Sequence, residues 1–121
     1  MVLDSTGRRS NTPRGSGGAR EQFENLKVPM TQIARLSADY RVIITHGNGP
    51  IVGNILERNE AAKDRIPPMP LDICGADSQG GIGYMIQQIL GNVLRRRGIG
   101  NPVVSIVSQV VISEEDDAFQ N

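Results

Sequence analysis

Apolar residues recur at helical spacing in three regions of the chain and form short continuous runs in two others. The helical spacing predicts helices over about 21–37, 51–66 and 77–97. The continuous runs, at 40–45 and 103–112, are rich in valine and isoleucine and predict strands covered on both faces. The chain therefore alternates strands with helices.

Start and stop residues refine these boundaries. Asp77 or Ser78 is expected to cap the third helix, after an extended connector imposed by the prolines at 67, 68 and 70. Gly98 suits the end of that helix, and Arg95 to Arg97 suit its negative dipole end. Pro29 lies within the first helix and is expected to kink it.

Two strands joined through helices predict parallel pairing by a right-handed crossover, which is the pattern of a layered α/β sheet. Two strands alone make a poor sheet, so the fold is expected to be incomplete. Residues 4–18 are almost entirely polar or glycine, and such a composition buries too little surface to order the chain. We therefore divide the chain into a flexible polar arm over 1–20 and one partial domain over 21–121.

Composition narrows the class of protein. The 13 basic and 13 acidic residues balance, which argues against nucleic-acid or membrane-surface binding. No apolar run approaches the roughly 20 residues that span a bilayer. Cys74 is the only cysteine, so no internal disulfide or metal-ligand spacing exists, and a reducing cytoplasmic setting is expected. We interpret Cys74 as a packing residue and the Asp116–Asp117 pair as solvated turn residues.

The candidate chemistry lies in the turn from His46 to Gly53, between the first predicted strand and the second helix. Gly47 and Gly49 permit a tight turn, and the helix start offers unpaired N–H groups to a phosphate or carboxylate. His46 is a possible proton carrier or a turn support, and Asn48 suits either a ligand contact or a turn. The residues alone leave a ligand site and a structural corner equally open.

Two familiar phosphate-binding motifs fit this turn poorly. A dinucleotide-binding G-x-G-x-x-G motif would need glycine where Val52 stands, and Asp72 follows a proline run where a ribose-binding acid would end a strand. A Walker loop would need Lys-Ser or Lys-Thr after its glycines, and neither is present.

Three stretches together resemble the signatures of carbamate kinase, in matching order and spacing. They are ITHGNGPIVGN at 44–54, MPLDICGADSQGGIGYM at 69–85 and DDAFQN at 116–121. The resemblance implies a three-layer α/β/α sandwich of the amino acid kinase type with a mainly parallel sheet, of which 21–121 would be part of the amino-terminal, carbamate-binding domain. It also implies ATP or ADP with Mg²⁺ as cofactors, and carbamate or carbamoyl phosphate as substrate.

By the same resemblance, Gly47, Asn48 and Gly49 would bind the substrate, with His46 and Gly53 as turn support. No catalytic and no metal-binding residue is assigned. The range from Met69 to Leu94 would form a homodimer contact.

The chain also departs from the family pattern. Ile51 stands where the family usually has glutamine, and the family's Gly-Gly-Asn-Ala strand end, its lysine-bearing Pro-Thr-Lys-Pro stretch and its nucleotide domain are not found. The expectation is therefore a carbamate kinase fragment that is inactive alone. A non-catalytic anion-binding or dimerising module and a non-functional gene fragment are the alternatives.

Overall fold

Within the described part of the chain, the fold consists of a parallel strand pair and three helices. The structure is a computed structural model that describes residues 2–3 and 18–117. Its elements, in chain order, are β1 (Val2–Leu3), α1 (Ala19–Leu36), β2 (Thr45–His46), α2 (Gly49–Ala62) and α3 (Leu71–Arg96). Val2 lies opposite Thr45 and Leu3 opposite His46 in a parallel ladder. The architecture is α/β, as predicted, although β1 was not predicted as a strand.

The hydrophobic core lies between α1 and α3. Met30, Ile33 and Ala34 of α1 are fully buried. They pack with four residues of α3 that repeat every fourth position, Ile82, Ile86, Leu90 and Leu94. This spacing places all four on one face of the helix. Full burial of one such aliphatic side chain is worth about 1.5–3 kcal/mol, so this contact is the main source of stability in the described chain.

The first helix is confirmed, and it begins at Ala19, two residues before the predicted start. Pro29 lies inside it and contributes no N–H to the helix. In the same helix, the Thr31 hydroxyl donates to the backbone carbonyl of Lys27, four residues earlier, at 2.8 Å. Residues 4–17, which make up most of the predicted polar arm, lie outside the described residues.

The predicted start of the third helix is wrong. α3 begins at Leu71, with Pro70 as its N-cap, so Asp77 and Ser78 lie inside the helix. Ser78 is 1% exposed, and its hydroxyl donates to the carbonyl of Gly75 at 2.6 Å. Serine can satisfy its hydroxyl within a helix in this way as well as at a cap, so residue type alone placed the boundary about two turns too late.

The end of α3 agrees with the prediction. Gly98 has φ of 71°, a left-handed conformation that glycine adopts at little cost. The N–H of Gly98 donates to Arg95 O at 3.1 Å, and that of Ile99 donates to Leu94 O at 3.0 Å. These two bonds form a Schellman motif, which closes the last helical turn.

The strand predicted over 103–112 is wrong, and the one over 40–45 is reduced to Thr45–His46. In the described part of the chain, no backbone hydrogen bond joins 41–44 or 103–112 to a neighbouring strand. The apolar pattern gives a segment β-propensity, but a strand needs a partner for its N–H and C=O groups. The two segments instead border a cavity of about 690 Å³ with α3 at its base.

Side chains of α3 hold the 103–108 segment in place of a strand partner. Gln87 Nε2 donates to Val103 O at 2.9 Å. The Gln79 side chain accepts from the Ser108 N–H at 2.7 Å and donates to Ser108 O at 3.2 Å. A Cβ built on Gly83 would lie 2.8 Å from Ser105 Cβ and Oγ. Gly83 therefore permits the close approach of this segment to α3.

The core contact between α1 and α3 can be tested with Ile33→Val. We expect a loss of about 0.5–1.5 kcal/mol, because one methyl group leaves a closed core. Val28→Ala on the same helix is the matched control, since Val28 is 70% exposed, and it should change stability by less than about 0.5 kcal/mol. Urea unfolding followed by circular dichroism measures both. Equal costs would contradict the placement of the core.

The docking of the extended segment can be tested with Gly83→Ala. We expect this variant to be about 1–3 kcal/mol less stable than Gly80→Ala, because a Cβ at Gly80 meets open space whereas one at Gly83 overlaps Ser105. Ser105→Gly should restore the stability of Gly83→Ala, since it removes both overlapping atoms. If Gly83→Ala and Gly80→Ala unfold at the same urea concentration, the segment does not dock here.

A candidate anion-binding turn

The candidate site is the connection between β2 and α2. Only Gly47 and Asn48 separate the end of the strand at His46 from the start of the helix at Gly49. The positive end of the α2 dipole therefore faces the carboxyl end of a parallel strand, an arrangement that favours anions. The sequence prediction of a strand, glycine turn and helix is confirmed at this point.

Few of the N–H groups at the start of α2 remain available to a ligand. Those of Ile51 and Val52 both donate to Asn48 O at 2.9 Å, and Pro50 has none. Within residues 2–3 and 18–117, the N–H groups of Asn48 and Gly49 donate to no other backbone group outside the ladder. The turn thus offers two main-chain donors next to each other.

Open space explains the two glycines better than backbone conformation does. Among the described residues only Gly98 has a positive φ, so neither Gly47 nor Gly49 needs the conformational freedom that glycine was predicted to supply in this turn. A Cβ at either position would meet no described atom within 4 Å. Both glycines are exposed, and the surface above them is left clear.

Asn48 joins the turn to α3 through its side chain. Its Nδ2 donates to Ser78 Oγ at 2.6 Å, and Ser78 Oγ donates in turn to Gly75 O at 2.6 Å. The sequence predicts Asn48 in the site, but it predicts Asp77 or Ser78 as a helix cap. Asn48 and Ser78 are 30 positions apart, and no local signal in the sequence links them.

His46 and Gly53 flank the turn. His46 Nδ1 lies 3.1 Å from Gly47 O, so the tautomer protonated at Nδ1 donates to the turn's own backbone. Gly53 lies one helical turn into α2, and a Cβ there would also meet open space. Of the turn residues, His46 lines the cavity of about 690 Å³, so that cavity adjoins the turn but is a separate feature.

Other candidate groups lie apart from the turn. Cys74 is fully buried in α3, where Asn59 Nδ2 donates to its Sγ at 3.1 Å. In the described ranges, no three His, Cys, Asp or Glu side chains form a cluster able to hold a metal ion. The described helices include none that is long and apolar enough to cross a membrane. No step that requires Mg²⁺ is assigned to these residues.

Comparison with known proteins shows that the chain is similar to carbamate kinases. No protein-family model matches the chain. A carbamate kinase of Pyrococcus horikoshii is 47% identical over 124 residues, covering 99% of this chain and 40% of that protein. One of Trichomonas vaginalis is 41% identical over 111 residues, covering 89% of this chain and 35% of that protein. The chain is homologous to the carbamate kinases.

Solved structures agree with this assignment. A carbamate kinase from Giardia lamblia bound to AMP-PNP superposes with a TM-score of 0.86 at 35% identity, covering 99% of this chain and 42% of that one. The chain thus spans about 40% of the length of the curated carbamate kinases it matches. The resemblance noted in the sequence is confirmed by both comparisons.

Proposed function

We propose that this chain supplies the substrate-anion site of a carbamate kinase, which transfers a phosphoryl group between ATP and carbamate, or from carbamoyl phosphate to ADP. The observation that carries the proposal is the open turn at Gly47, Asn48 and Gly49, where two adjacent N–H groups lie at the start of a helix. The homology over 99% of the chain supports the choice of carbamate over other small anions.

The chemistry of the turn suits this role. Carbamate and carbamoyl phosphate carry oxygen anions, which oriented main-chain N–H groups and a helix dipole stabilise without a charged side chain. Phosphoryl transfer depends chiefly on positioning and on donors aimed at the developing charge. In this proposal Gly47, Asn48 and Gly49 bind and orient the substrate, while His46 and Gly53 support the turn. The proposal assigns no catalytic residue to the described chain.

Ile51 makes the main-chain donors more important here. It packs against the α1–α3 core, so the third residue of α2 contributes an aliphatic side chain where the family usually has glutamine. Substrate affinity then depends on the N–H groups of the turn and on the Asn48 amide.

The same proposal covers the nucleotide, the metal ion and the fold of the whole protein. ATP or ADP would be the nucleotide, by analogy with the Giardia protein bound to AMP-PNP, with Mg²⁺ bridging phosphates as in phosphoryl transfer generally. The fold of the whole protein would be a three-layer α/β/α sandwich with a mainly parallel sheet.

The proposal predicts that Gly49→Ala weakens anion binding while it raises the stability of the fold. Its Cβ would occupy the open space above the turn and weaken binding of phosphate and carbamoyl phosphate by about tenfold, the equivalent of about 1.4 kcal/mol. Stability should rise by about 0.4–1 kcal/mol, because Gly49 has no positive φ. Amide chemical shifts titrated with each anion measure the affinity.

Gly91→Ala is the matched control for that experiment. Gly91 lies in α3, where an added Cβ also meets open space, so stability should rise by a similar amount while anion affinity stays unchanged. Wild-type chain that shifts no amide of the turn on addition of either anion would contradict the proposed function.

A dimerising role is the second candidate, and exposed apolar side chains favour it. Within the Met69 to Leu94 range, Met69, Leu71, Ile73 and Tyr84 are between 42% and 64% exposed. Apolar surface of this kind commonly marks a protein interface. We propose that the Met69 to Leu94 range forms the homodimer contact.

Tyr84→Glu tests the dimer contact. We expect the wild-type chain to sediment as a dimer and Tyr84→Glu to shift it toward monomer, because a charge would be buried at the interface. Tyr40→Glu is the control, since Tyr40 has similar exposure but lies outside the range. A wild-type chain that remains monomeric at high concentration would rule the contact out.

A further inference from the structure

Asn48 is the N-cap residue of α2, yet its side chain does not cap the helix. Asparagine is among the preferred capping residues, because its side-chain oxygen accepts an N–H from the first turn. Here the side chain instead reaches α3, where Nδ2 donates to Ser78 Oγ at 2.6 Å. The first turn of α2 is therefore left uncapped by side chains.

The hydrogen bond from Ser78 to Gly75 determines which atom donates in the bond between Asn48 and Ser78. Gly75 O can only accept, so the 2.6 Å contact with Ser78 Oγ uses the serine proton. Ser78 Oγ must then accept from Asn48, which requires that Nδ2, and not Oδ1, faces it. The relay Asn48 to Ser78 to Gly75 thus fixes which end of the amide points toward α3. One Nδ2 proton then remains without a partner among the described residues.

Ser78 is well placed to act as a rigid anchor. It is 1% exposed and lies in α3, four residues before Ile82, with which the core face of that helix begins. Its rotamer is held by the bond to Gly75. A side chain with a fixed rotamer can hold its hydrogen-bond partner in one orientation.

We propose that Ser78 is a positioning residue for the anion site, which fixes the Asn48 amide so that its free Nδ2–H and the adjacent N–H groups face the substrate together. This inference rests on the proposed function of the turn. It goes further because it places part of the specificity of the site in α3, 30 residues away in sequence.

The side-chain amide signals of Asn48 test the relay without any ligand. In Ser78→Ala these NMR signals should move to the positions of a free asparagine, and Ser78→Thr, which keeps the hydroxyl, should largely restore them. Ser37→Ala is the matched control, because Ser37 is also buried and donates its hydroxyl to a helix carbonyl, that of Ile33, at 2.9 Å. It should leave the Asn48 signals unchanged.

A double-mutant cycle then separates positioning from simple tethering. Phosphate and carbamoyl phosphate should each bind about tenfold more weakly to Ser78→Ala and to Asn48→Ala, as expected for one lost hydrogen bond to a charged group. The double variant should bind no more weakly than Asn48→Ala alone, because Ser78 acts through Asn48. Affinity is measured only on variants whose circular dichroism matches that of the wild type.

Three results would overturn the inference. The first is an unchanged Asn48 signal in Ser78→Ala, and the second is losses of affinity that simply add in the double variant. The third is a wild-type chain that binds neither anion although the Asn48 signal responds to Ser78→Ala, in which case the proposed function fails and the bond is only a tether between α2 and α3.

Discussion

The packing of α1 against α3 is the constraint on which the rest of the described structure depends. Met30, Ile33 and Ala34 of α1 cover one face of α3. This contact fixes the position of α3, the longest of the described helices. Two further parts of the described chain are held against α3 by side-chain hydrogen bonds. Gln79 and Gln87 bind the 103–108 segment, and Ser78 binds the turn through Asn48.

The candidate site depends on α3 for the orientation of one side chain, but not for its main-chain N–H groups. The N–H groups of the turn come from the local geometry of a strand that runs into a helix, and they would exist wherever such a connection forms. The orientation of the Asn48 amide is different, because it depends on a buried hydroxyl in another helix. The site thus combines a local anion-binding element with a side chain that tertiary packing sets.

The extended segments show how a sheet depends on partners. Residues 103–112 have the composition of a buried strand, yet Val104, Ile106 and Val110 are each more than 70% exposed. The amides of Gln79 and Gln87 take over a few of the bonds that a neighbouring strand would make. Exposed apolar segments with unpaired backbone groups favour association with other chains.

Sequence alone determined the features that arise from local physical chemistry. The helical stripes of α1 and α3, the Gly98 terminus and the glycine turn before α2 follow from side-chain periodicity and backbone preference. The three signature stretches also carried the family resemblance, which the comparisons confirmed. Within the site, the place between a strand and a helix indicated Gly47 and Gly49 as an anion-binding turn or a structural corner, and the family resemblance added Asn48 and the substrate role of all three.

Tertiary structure decided what depends on contacts distant in sequence. Whether 103–112 becomes a strand depends on a partner for its backbone groups, and whether Ser78 caps a helix or anchors Asn48 depends on how α2 lies against α3. Even the reason for Gly49 changed, from a need for conformational freedom to the open space above it. Residue type states which hydrogen bonds a group is able to make, and only the packed fold selects among them.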